Sequence, residues 1–304
     1  MKKLLFIYNP KAGTGRIRLR LADIIDRFAA QDYEVTLHPT VGRGDATAFV
    51  RARGREFSRI VCAGGDGTLN EVVTGLLDEE GMPPLGYVPA GTTNDYSRSL
   101  DLPNTLADAA EIAACGVPAN VDVGLFNGRP FVYVAAFGLF SDVSYTTSQR
   151  MKNVLGHLAY VLSGIPQLAA IPNYHLRVEY DGNTVEGDYF YGMVSNTISV
   201  GGVLNLNEET VRLNDGKFEG LLIQRPANLT ELNDLVQALT KQIYTEKVIG
   251  FQASHITISS PDDIPWTLDG EFGGDTGAVE ISVRREAVTL VTNPDIHTLR
   301  EAEE

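Results

Sequence analysis

The chain has 304 residues, of which 43% are hydrophobic and 21% are charged, and its formal net charge is −14. This length is enough for two domains with full cores, and the composition is not that of a disordered chain. The acidic balance argues against a general nucleic-acid binder, and two cysteines, Cys62 and Cys115, argue against a disulfide framework or a zinc site.

Basic residues are concentrated near the amino terminus. Residues 1–60 hold 12 Lys and Arg against 6 Asp and Glu, whereas the remainder holds 13 against 33. Two interpretations stay open: the basic end faces an anionic ligand or an anionic membrane surface, or it forms solvated helix faces. The low cysteine content predicts a cytoplasmic location.

Strands and helices alternate up to about residue 124. The runs KLLFIY, YEVTLHPT, RIVCAG and LGYVPA predict strands, and apolar periodicity predicts helices at 15–30, 45–54, 69–80 and 105–114. This βαβα order predicts a parallel sheet covered by helices, which is an α/β amino-terminal domain.

After residue 125 the chain is rich in β-branched and aromatic residues. Turn signals at Asp181-Gly182-Asn183, Asn214-Asp215-Gly216 and Asp269-Gly270 separate these runs and predict an antiparallel, β-rich second domain. Helical patterns occur at 151–162 and 229–244, and Pro118–Gly128 is the predicted crossing between the domains.

No stretch reaches an uninterrupted transmembrane span. Residues Val154–Ile171 are uncharged but contain Gly156, Gly164 and Pro166. This segment is predicted to be a buried helix that ends before Pro166, or alternatively a surface that contacts lipid tails.

Four predicted strands end in small or hydrogen-bonding residues. Asn9–Gly15 follows the first strand, Gly64–Thr68 the third and Pro89–Asp95 the fourth, while His38-Pro39-Thr40 ends the second. Open α/β sheets bind ligands beyond the carboxyl ends of their strands, so these loops predict a nucleotide-phosphate cleft. Neither the P-loop pattern nor G-x-G-x-x-G is met: Lys11 is wrongly placed, and Arg18 and Asn70 stand where a third glycine is needed.

GGDGTLNE at 64–71, PAGTTND at 89–95 and NPKAG at 9–13 together resemble the diacylglycerol-kinase catalytic family of lipid kinases. This family includes bacterial diacylglycerol kinases and, more distantly, sphingosine and ceramide kinases. The resemblance extends to HPTVGRGDA at 38–46, VDVG at 121–124, NDGKFEG at 214–220 and LDGE at 268–271. GGDGT alone also occurs in close versions in NAD kinases and phosphofructokinases.

The resemblance implies a two-domain lipid-kinase fold, in which a β-rich, sandwich-like domain follows the α/β domain. Residues 1–124 with the tail at 288–304 would form the nucleotide-binding domain, and 125–287 the lipid domain. The implied ATP-binding residues are Asn9, Pro10, Lys11, Ala12, Gly13, Thr40, Gly65, Asp66, Gly67, Thr68, Leu69, Asn70, Glu71, Thr92 and Asn94. A structural Mg²⁺ site would be formed by Asp215 and the carbonyls of Arg212 and Lys217, although an ordinary hairpin turn also accounts for Asn214-Asp215-Gly216.

Phosphoryl transfer requires Mg²⁺, positioning and a base for the attacking hydroxyl. Asp66 is the best candidate for organising the catalytic Mg²⁺, because hard cations prefer oxygen ligands. Its other predicted role is the N-cap of a helix that starts at Leu69. Glu71 follows Thr68 by three residues, which is also the spacing of a capping box, so it ranks below Asp66 for chemistry.

The remaining acids take their roles from the resemblance. Glu271 matches the proposed general base, and Asp269 matches a companion acid that binds metal or water. Asp122 and Asp95 match acids that anchor the hydrogen-bond network around the metal. Without the family, Asp269-Gly270 is a plain turn that leaves the glutamate exposed.

The predicted function is Mg²⁺-dependent transfer of the γ-phosphate of ATP to a lipid hydroxyl. The predicted acceptor is diacylglycerol, which would give phosphatidic acid. The predicted partners are ATP and a lipid substrate at the inner face of the membrane, where the protein would be peripheral; a homodimer stays open. Segments considered for the lipid side are 154–171, 137–140 and 201–204, each of which is also explained by core packing. The alternatives are an NAD kinase and a nucleotide- or lipid-binding sensor without turnover.

Overall fold

The structure is a computed structural model that describes residues 1–13, 15–77, 81–92, 94–138, 172–197, 199–200, 204–205, 211–228, 230–231, 234–235, 237, 245–293, 296 and 299. The predicted helix at 151–162, the uncharged segment 154–171 and the lipid-side candidates at 139–140 and 201–203 lie outside these residues. So do most positions of the predicted helix at 229–244, whose described positions 230, 231, 234, 235 and 237 are helical. Within the described part of the chain, every helix is too short or too polar to span a lipid bilayer.

The described elements follow the predicted order. The first part of the chain contains β1 (Lys2–Tyr8), α1 (Arg16–Leu19), α2 (Leu21–Ala30), β2 (Tyr33–Pro39), α3 (Asp45–Arg53), a 3₁₀ turn (Gly54–Glu56), β3 (Arg59–Gly64), α4 (Asp66–Leu77), β4 (Leu85–Pro89), α5 (Asp95–Ser99), α6 (Leu106–Cys115) and β5 (Val117–Phe126). The second part contains β6 (Arg129–Phe131), β7 (Val134–Gly138), β8 (Tyr174–Tyr180), β9 (Asn183–Ser195), β10 (Ser199–Val200), β11 (Leu204–Asn205), β12 (Phe218–Gln224), β13 (Val248–Ala253), β14 (His255–Ser259), β15 (Pro265–Leu268), β16 (Glu271–Asp275) and β17 (Ala278–Thr292).

The chain divides into two compact units. Unit 1 comprises Met1–Val123, Leu213–Asp215 and Arg285–Glu304, and unit 2 comprises Gly124–Arg212 and Gly216–Arg284. Strands β5 and β17 each contribute residues to both units. The segment predicted as a crossing, Pro118–Gly128, is largely the strand β5, in which Val121 and Val123 are buried.

Unit 1 is built on a parallel sheet with the strand order β2-β1-β3-β4-β17. All four pairings are parallel, which confirms the predicted α/β fold class. Helices α2 and α6 pack against one face, where Phe28 meets Phe6 edge to face at 5.3 Å. Helix α3 packs on α4 at Gly75, where a Cβ would lie 2.8 Å from the Cβ of Val50.

Two helix predictions differ from the structure, and one short helix was not predicted. The single helix expected over 15–30 is two helices, α1 and α2, because Arg20 leaves the helical region with φ −111° and ψ 8°. Helix α4 begins at Asp66, three residues earlier than predicted. Helix α5 has only five residues and therefore shows no apolar periodicity by which it could be predicted.

Unit 2 is an antiparallel β structure, which confirms the predicted β-rich second domain. Its strands follow the order β16-β15-β7-β9-β8-β14-β17, with β12 on β9 and β13 on β12. Trp266 is fully buried in its core, with ring-centroid distances of 5.0 Å to Phe126 and 4.9 Å to Phe137.

Two-residue turns connect three of the hairpins. Asn127-Gly128, Asp181-Gly182 and Asp269-Gly270 have positive φ at both positions, as type I′ turns require. The predicted turn signals at 181–182 and 269–270 are therefore confirmed. The second of them sets the register Leu268↔Glu271 at the start of β16.

Candidate active site

The loops after β1, β3 and β4 meet at one edge of the unit 1 sheet. Adjacent parallel strands place their carboxyl ends together. The Asn9 N–H donates to the Ala63 carbonyl at 2.8 Å, and the N–H groups of Ala90 and Gly91 donate to the Gly64 carbonyl at 2.8 and 3.1 Å. The loop after β2 joins them, because the Thr40 N–H donates to the Tyr8 carbonyl at 2.9 Å.

Glycines make these loops fit closely. A Cβ on Gly91 would lie 2.5 Å from the Cα of Gly65, and a Cβ on Gly13 would lie 2.6 Å from the Ala90 carbonyl oxygen. Gly13 also has φ +54°, in the left-handed region that glycine adopts without cost. The structure thus forms a surface of bare backbone where a phosphate chain could approach closely.

Asn94 braces the loop after β4 from within. Its Oδ1 accepts from the Gly91 N–H at 2.8 Å, and its Nδ2 donates to the Gly91 carbonyl at 3.1 Å. The Tyr87 hydroxyl lies 3.3 Å from the Gly64 carbonyl and 3.4 Å from Asn94 Oδ1. Burial raises the pKa of Tyr87 well above its usual value, and the negative charge of Asp66 adds a smaller increase. The hydroxyl therefore keeps its proton.

The loop after β1 is folded on itself. Asn9 Oδ1 accepts from the Lys11 N–H at 2.9 Å, and the Asn9 carbonyl accepts from the Ala12 N–H at 3.1 Å. The Ala12 side chain is buried, whereas Lys11 is exposed. This local folding places the Pro10–Gly13 backbone beside the loop after β4.

Asp66 is the first residue of α4, and the Gly65 carbonyl accepts from the N–H groups of Thr68 and Leu69. Because Asp66 lies inside the helix, the predicted role of Asp66 as the N-cap of a helix from Leu69 is wrong. Its Oδ2 instead accepts from the Asp95 N–H at 3.2 Å, at the start of α5. The carboxylate thus lies at the positive end of α4, where an anionic ligand would also bind.

Glu71 does not form the predicted capping box, because the Thr68 N–H bonds to the Gly65 carbonyl. Its two carboxylate oxygens accept from the Gly44 and Ala46 N–H groups at the start of α3, at 2.8 and 3.3 Å.

The loop before α3 has a further polar pair that sequence reasoning missed: Asp45 Oδ2 lies 2.9 Å from His38 Nε2. The spacing of seven residues across a loop carries no pattern by which this pair could be predicted.

Asp122 is fully buried in β5 and serves two other stretches of unit 1. Its Oδ1 accepts from the Glu286 N–H at 2.7 Å, and its own N–H donates to the Leu213 carbonyl at 2.7 Å. Glu286 has φ +47°, so this bond holds β17 in a left-handed conformation that non-glycine residues seldom adopt.

The predicted structural metal site lies in a turn. Residues 213–216 form the turn, Gly216 has φ +78°, and Asp215 is half-buried. Across the described part of the chain, no group of three or more His, Cys, Asp or Glu side chains could hold a metal by itself. A site made of one carboxylate and two carbonyls, from Arg212 and Lys217, would not form such a group, and it stays a prediction.

Unit 2 carries the other two predicted acids on the β15–β16 hairpin. Asp269 is buried, and its carboxylate accepts from the N–H groups of three successive residues: 2.7 Å from Val132, 2.9 Å from Tyr133 and 3.1 Å from Val134. Glu271 is exposed at the first position of β16. Asp269 therefore holds the hairpin, while Glu271 extends from it toward solvent.

The structure thus places the predicted residues in two groups. Asp66, Asp122 and the predicted nucleotide-binding residues belong to unit 1, and Asp269 with Glu271 belongs to unit 2. Thr92 is exposed, Gly67 and Asn70 are half-buried, and Thr68 and Leu69 are buried in α4.

Comparison with known proteins identifies both parts of the chain. Residues 3–126 match the model of the diacylglycerol kinase catalytic domain, and residues 134–292 match that of the YegS C-terminal NAD kinase β-sandwich-like domain. A protein named diacylglycerol kinase from Bacillus subtilis (strain 168) is 37% identical over 278 residues, which cover 90% of this chain and 91% of that protein. The diacylglycerol kinase of Staphylococcus aureus (strain MRSA252) is 34% identical, with 96% and 93% covered.

A solved structure agrees with these sequence matches. The crystal structure of a diacylglycerol kinase from Bacillus anthracis str. Sterne superimposes with a TM-score of 0.76 at 25% identity and covers 97% of this chain and 98% of that one. The resemblance inferred from the motifs is confirmed. The chain belongs to the diacylglycerol kinase family and is a phosphotransferase that acts on an alcohol group.

Proposed function

We propose that this protein transfers the γ-phosphate of ATP to the hydroxyl of a lipid, and that diacylglycerol is the acceptor, which gives phosphatidic acid. The observation that carries the proposal is the meeting of glycine loops at the carboxyl ends of β1, β3 and β4. The names of the curated relatives support the choice of acceptor.

Unit 1 supplies the nucleotide site in this proposal. The backbone of Asn9–Gly13, the start of α4 and the loop at 89–95 would bind the phosphates, since their N–H groups and the helix dipole favour anions. Side chains in these loops, such as that of Asn94, already bond to neighbouring backbone and keep the loops in place. Residues 1–124 with the tail at 288–304 therefore act as the nucleotide-binding domain, and 125–287 as the lipid domain.

The residues at the start of α4 fit a magnesium ion that is bound together with the nucleotide. Mg²⁺ in kinase sites is usually held by one or two carboxylates, phosphate oxygens and water, rather than by a cage of protein side chains. Asp66 provides such a carboxylate beside the glycine loops. When bound, the ion neutralises phosphate charge during transfer.

Glu271 is the general base in the proposal. Its carboxylate takes the proton of the lipid hydroxyl while that oxygen bonds to the γ-phosphorus, and the bond from phosphorus to the bridging oxygen breaks to release ADP. Its exposed position on a rigid type I′ hairpin suits a group that must reach an incoming substrate. Asp269 positions that hairpin through the three backbone amides of 132–134.

A second magnesium ion is proposed at the turn that contains Asp215, with the carbonyls of Arg212 and Lys217 as further ligands.

Because the acceptor is a lipid, we also propose peripheral association with the inner face of the membrane. The excess of basic residues in the first 60 positions supports attraction to anionic lipids.

The test is a panel of acceptors in mixed micelles with γ-labelled ATP and Mg²⁺. The panel contains diacylglycerol, monoacylglycerol, sphingosine, ceramide, phosphatidylglycerol and NAD. The proposal expects labelled phosphatidic acid as the main product, and omission of Mg²⁺ should remove it. Label in another lipid would overturn the choice of acceptor but leave the lipid-kinase assignment in place.

NAD is included for a specific reason. The family model that matches residues 134–292 describes an NAD kinase β-sandwich-like domain. Label in NAD with none in any lipid would replace the lipid-kinase proposal by an NAD kinase.

A further inference from the structure

Glu71 belongs to the GGDGTLNE motif, yet its carboxylate is committed to a different helix. Oε1 accepts from the Gly44 N–H at 2.8 Å, and Oε2 accepts from the Ala46 N–H at 3.3 Å. The first N–H groups of a helix have no partner inside it and carry partial positive charge. A carboxylate on α4 therefore caps α3 from outside.

The contact between the two helices continues beyond this cap. The Thr47 hydroxyl donates to the Glu71 carbonyl at 2.7 Å. One turn further along α4, Gly75 admits Val50 so closely that a Cβ on the glycine would lie 2.8 Å from the Cβ of Val50. The register of α3 on α4 is thus fixed by a charged cap, a hydroxyl bond and a glycine contact.

The segment that this arrangement controls is the loop 40–44 before α3. Its first residue is held by the bond from the Thr40 N–H to the Tyr8 carbonyl, and its last by the bond from the Gly44 N–H to Glu71. Residues 41–44 are exposed, so core packing does not fix their backbone. Asp45 closes the loop from inside by accepting from the Val41 N–H at 3.2 Å.

We propose that Glu71 is a positioning residue: it sets the Thr40 loop for nucleotide binding by capping α3, and it does not contact the nucleotide itself. The inference rests on the proposed function only in that ATP binds at the Thr40 loop. The cap itself is a feature of the protein without ligand and can be tested without ATP.

The test compares Glu71→Gln with the wild type by amide hydrogen exchange and by kinetics. Glutamine can accept from one N–H but presents its own NH₂ group to the other. We expect the Gly44 and Ala46 amides to exchange about ten-fold faster, the Kd for ATP to rise about ten-fold, and kcat at saturating ATP to change less than about three-fold. Glu111→Gln on α6, an exposed glutamate paired with Arg27, is the matched control and should change none of these values.

Two outcomes would overturn the proposal. Unchanged exchange of both amides would show that the Glu71 carboxylate does not stabilise the start of α3, whatever the change in ATP affinity or kcat. Faster exchange with an unchanged Kd would show that the cap does not position the nucleotide loop. If Glu71→Gln does not fold, Glu71→Asp replaces it; its shorter carboxylate should reach one amide only and give the same changes in smaller size. Loss of amide protection in a protein whose wild type binds no ATP would retain the cap and reject the proposed function.

Discussion

The acids of the candidate site differ in what their carboxylates already bind. Asp269 accepts from three backbone amides and Asp122 from one, and both are buried. Glu271 is exposed, and Asp66 lies half-buried at the start of α4, where its Oδ2 accepts from the Asp95 N–H. Because Glu271 is exposed and Asp66 adjoins the loops that we propose to bind phosphate, we propose that these two acids take part in the chemistry and that Asp269 and Asp122 position the backbone.

Replacing Asp269 tests its positioning role. Asp269→Asn keeps one acceptor oxygen but removes the charge and the second oxygen, so amides among residues 132–134 lose their partner. Hydrogen bonds to charged groups are worth about 1.5–3 kcal/mol, and we expect the free energy of unfolding to fall by about 2 kcal/mol. Urea unfolding followed by the fluorescence of Trp266, the one tryptophan of the chain, measures this loss.

Asp275→Asn is the control for that variant, because Asp275 is exposed at the far end of the same hairpin. It should change the free energy of unfolding by less than about 0.5 kcal/mol. Equal stability of Asp269→Asn and Asp275→Asn would contradict the positioning role.

The buried thiol of Cys62 should make the free energy of unfolding depend on pH in the alkaline range. Burial raises the pKa of its thiol far above the usual value, so the folded protein keeps the proton. The unfolded thiol titrates near about 8.5, hence stability is full below that pH and falls above it as the unfolded state loses its proton. Between pH 8.5 and 10 the wild type should lose about 1.7 kcal/mol more than Cys62→Ala in total, and the extra loss approaches about 1.4 kcal/mol per pH unit at the upper end of this range.

Urea unfolding under reducing conditions at several pH values, followed by circular dichroism, gives the two slopes. Any constant cost of the cavity in Cys62→Ala cancels, because only the difference in slope is compared. Parallel slopes would show that the thiol titrates alike in both states.

Sequence reasoning predicted where these acids lie among the strands and turns better than it predicted their contacts. The motifs placed Asp66, Asp269 and Glu271 at a strand end or turn, and the structure agrees. The partners of Asp269 at 132–134 lie more than a hundred residues away and are all backbone amides, which leave no trace in sequence. The cap that Glu71 provides for α3 was hidden for the same reason.

At the scale of elements, glycine sets how closely the loops after β3 and β4 approach. Gly91→Ala would place a Cβ 2.5 Å from the Gly65 Cα and 2.6 Å from Asn94 Oδ1, so the two loops must separate. Overpacking of this kind costs about 1–3 kcal/mol, and we expect that loss of stability together with a KM for ATP raised at least about ten-fold.

Gly187→Ala provides the comparison for Gly91→Ala. Its Cβ would meet nothing closer than 3.4 Å, and its strand β9 belongs to unit 2. Thermal unfolding and initial rates at varied ATP concentration should leave this variant close to the wild type. A Gly91→Ala enzyme with unchanged KM would argue against nucleotide binding at these loops.

Elements with a strong period were predicted well, and those set by local chemistry were not. The alternation of KLLFIY and RIVCAG with apolar-striped helices was sufficient to predict β1, β3 and their parallel pairing. The break at Arg20 depends on a single backbone conformation, and the early start of α4 depends on the Gly65 carbonyl, which accepts from the Thr68 and Leu69 N–H groups. The boundary between the units at Val123 and Gly124 lies within the predicted crossing Pro118–Gly128, but that the crossing is a strand, β5, was not predicted.

At the scale of the whole molecule, unit 1 is assembled from three separate stretches of chain. Asp122 joins all of them: it lies in the first, bonds to Leu213 in the second and accepts from Glu286 in the third. The sequence does not predict that Leu213–Asp215 belongs to unit 1, because three residues are too few to show periodicity.

Asp122→Ala should weaken unit 1 as a whole. The part-buried Glu286 N–H would lose its charged acceptor, and hydrogen bonds to charged groups contribute about 1.5–3 kcal/mol, so we expect the exchange free energies of β1 and β3 amides to fall by about 2 kcal/mol. Asn120→Ala, two residues earlier, removes only an exposed bond to Thr289 and should cost less than about 0.5 kcal/mol. Similar losses in the two variants would remove Asp122 from its role in assembling the unit.

The proposed function makes both Asp66 and Glu271 essential for phosphoryl transfer from ATP to a lipid hydroxyl. Its most direct test is the rate of labelled phosphatidic acid formation from diacylglycerol by the wild type, Asp66→Ala and Glu271→Gln, with folding checked by circular dichroism. We predict that each variant stays folded and loses at least about 100-fold in rate, since a positioned base alone contributes about 10²–10⁴-fold. Wild-type rates in either folded variant would contradict the account.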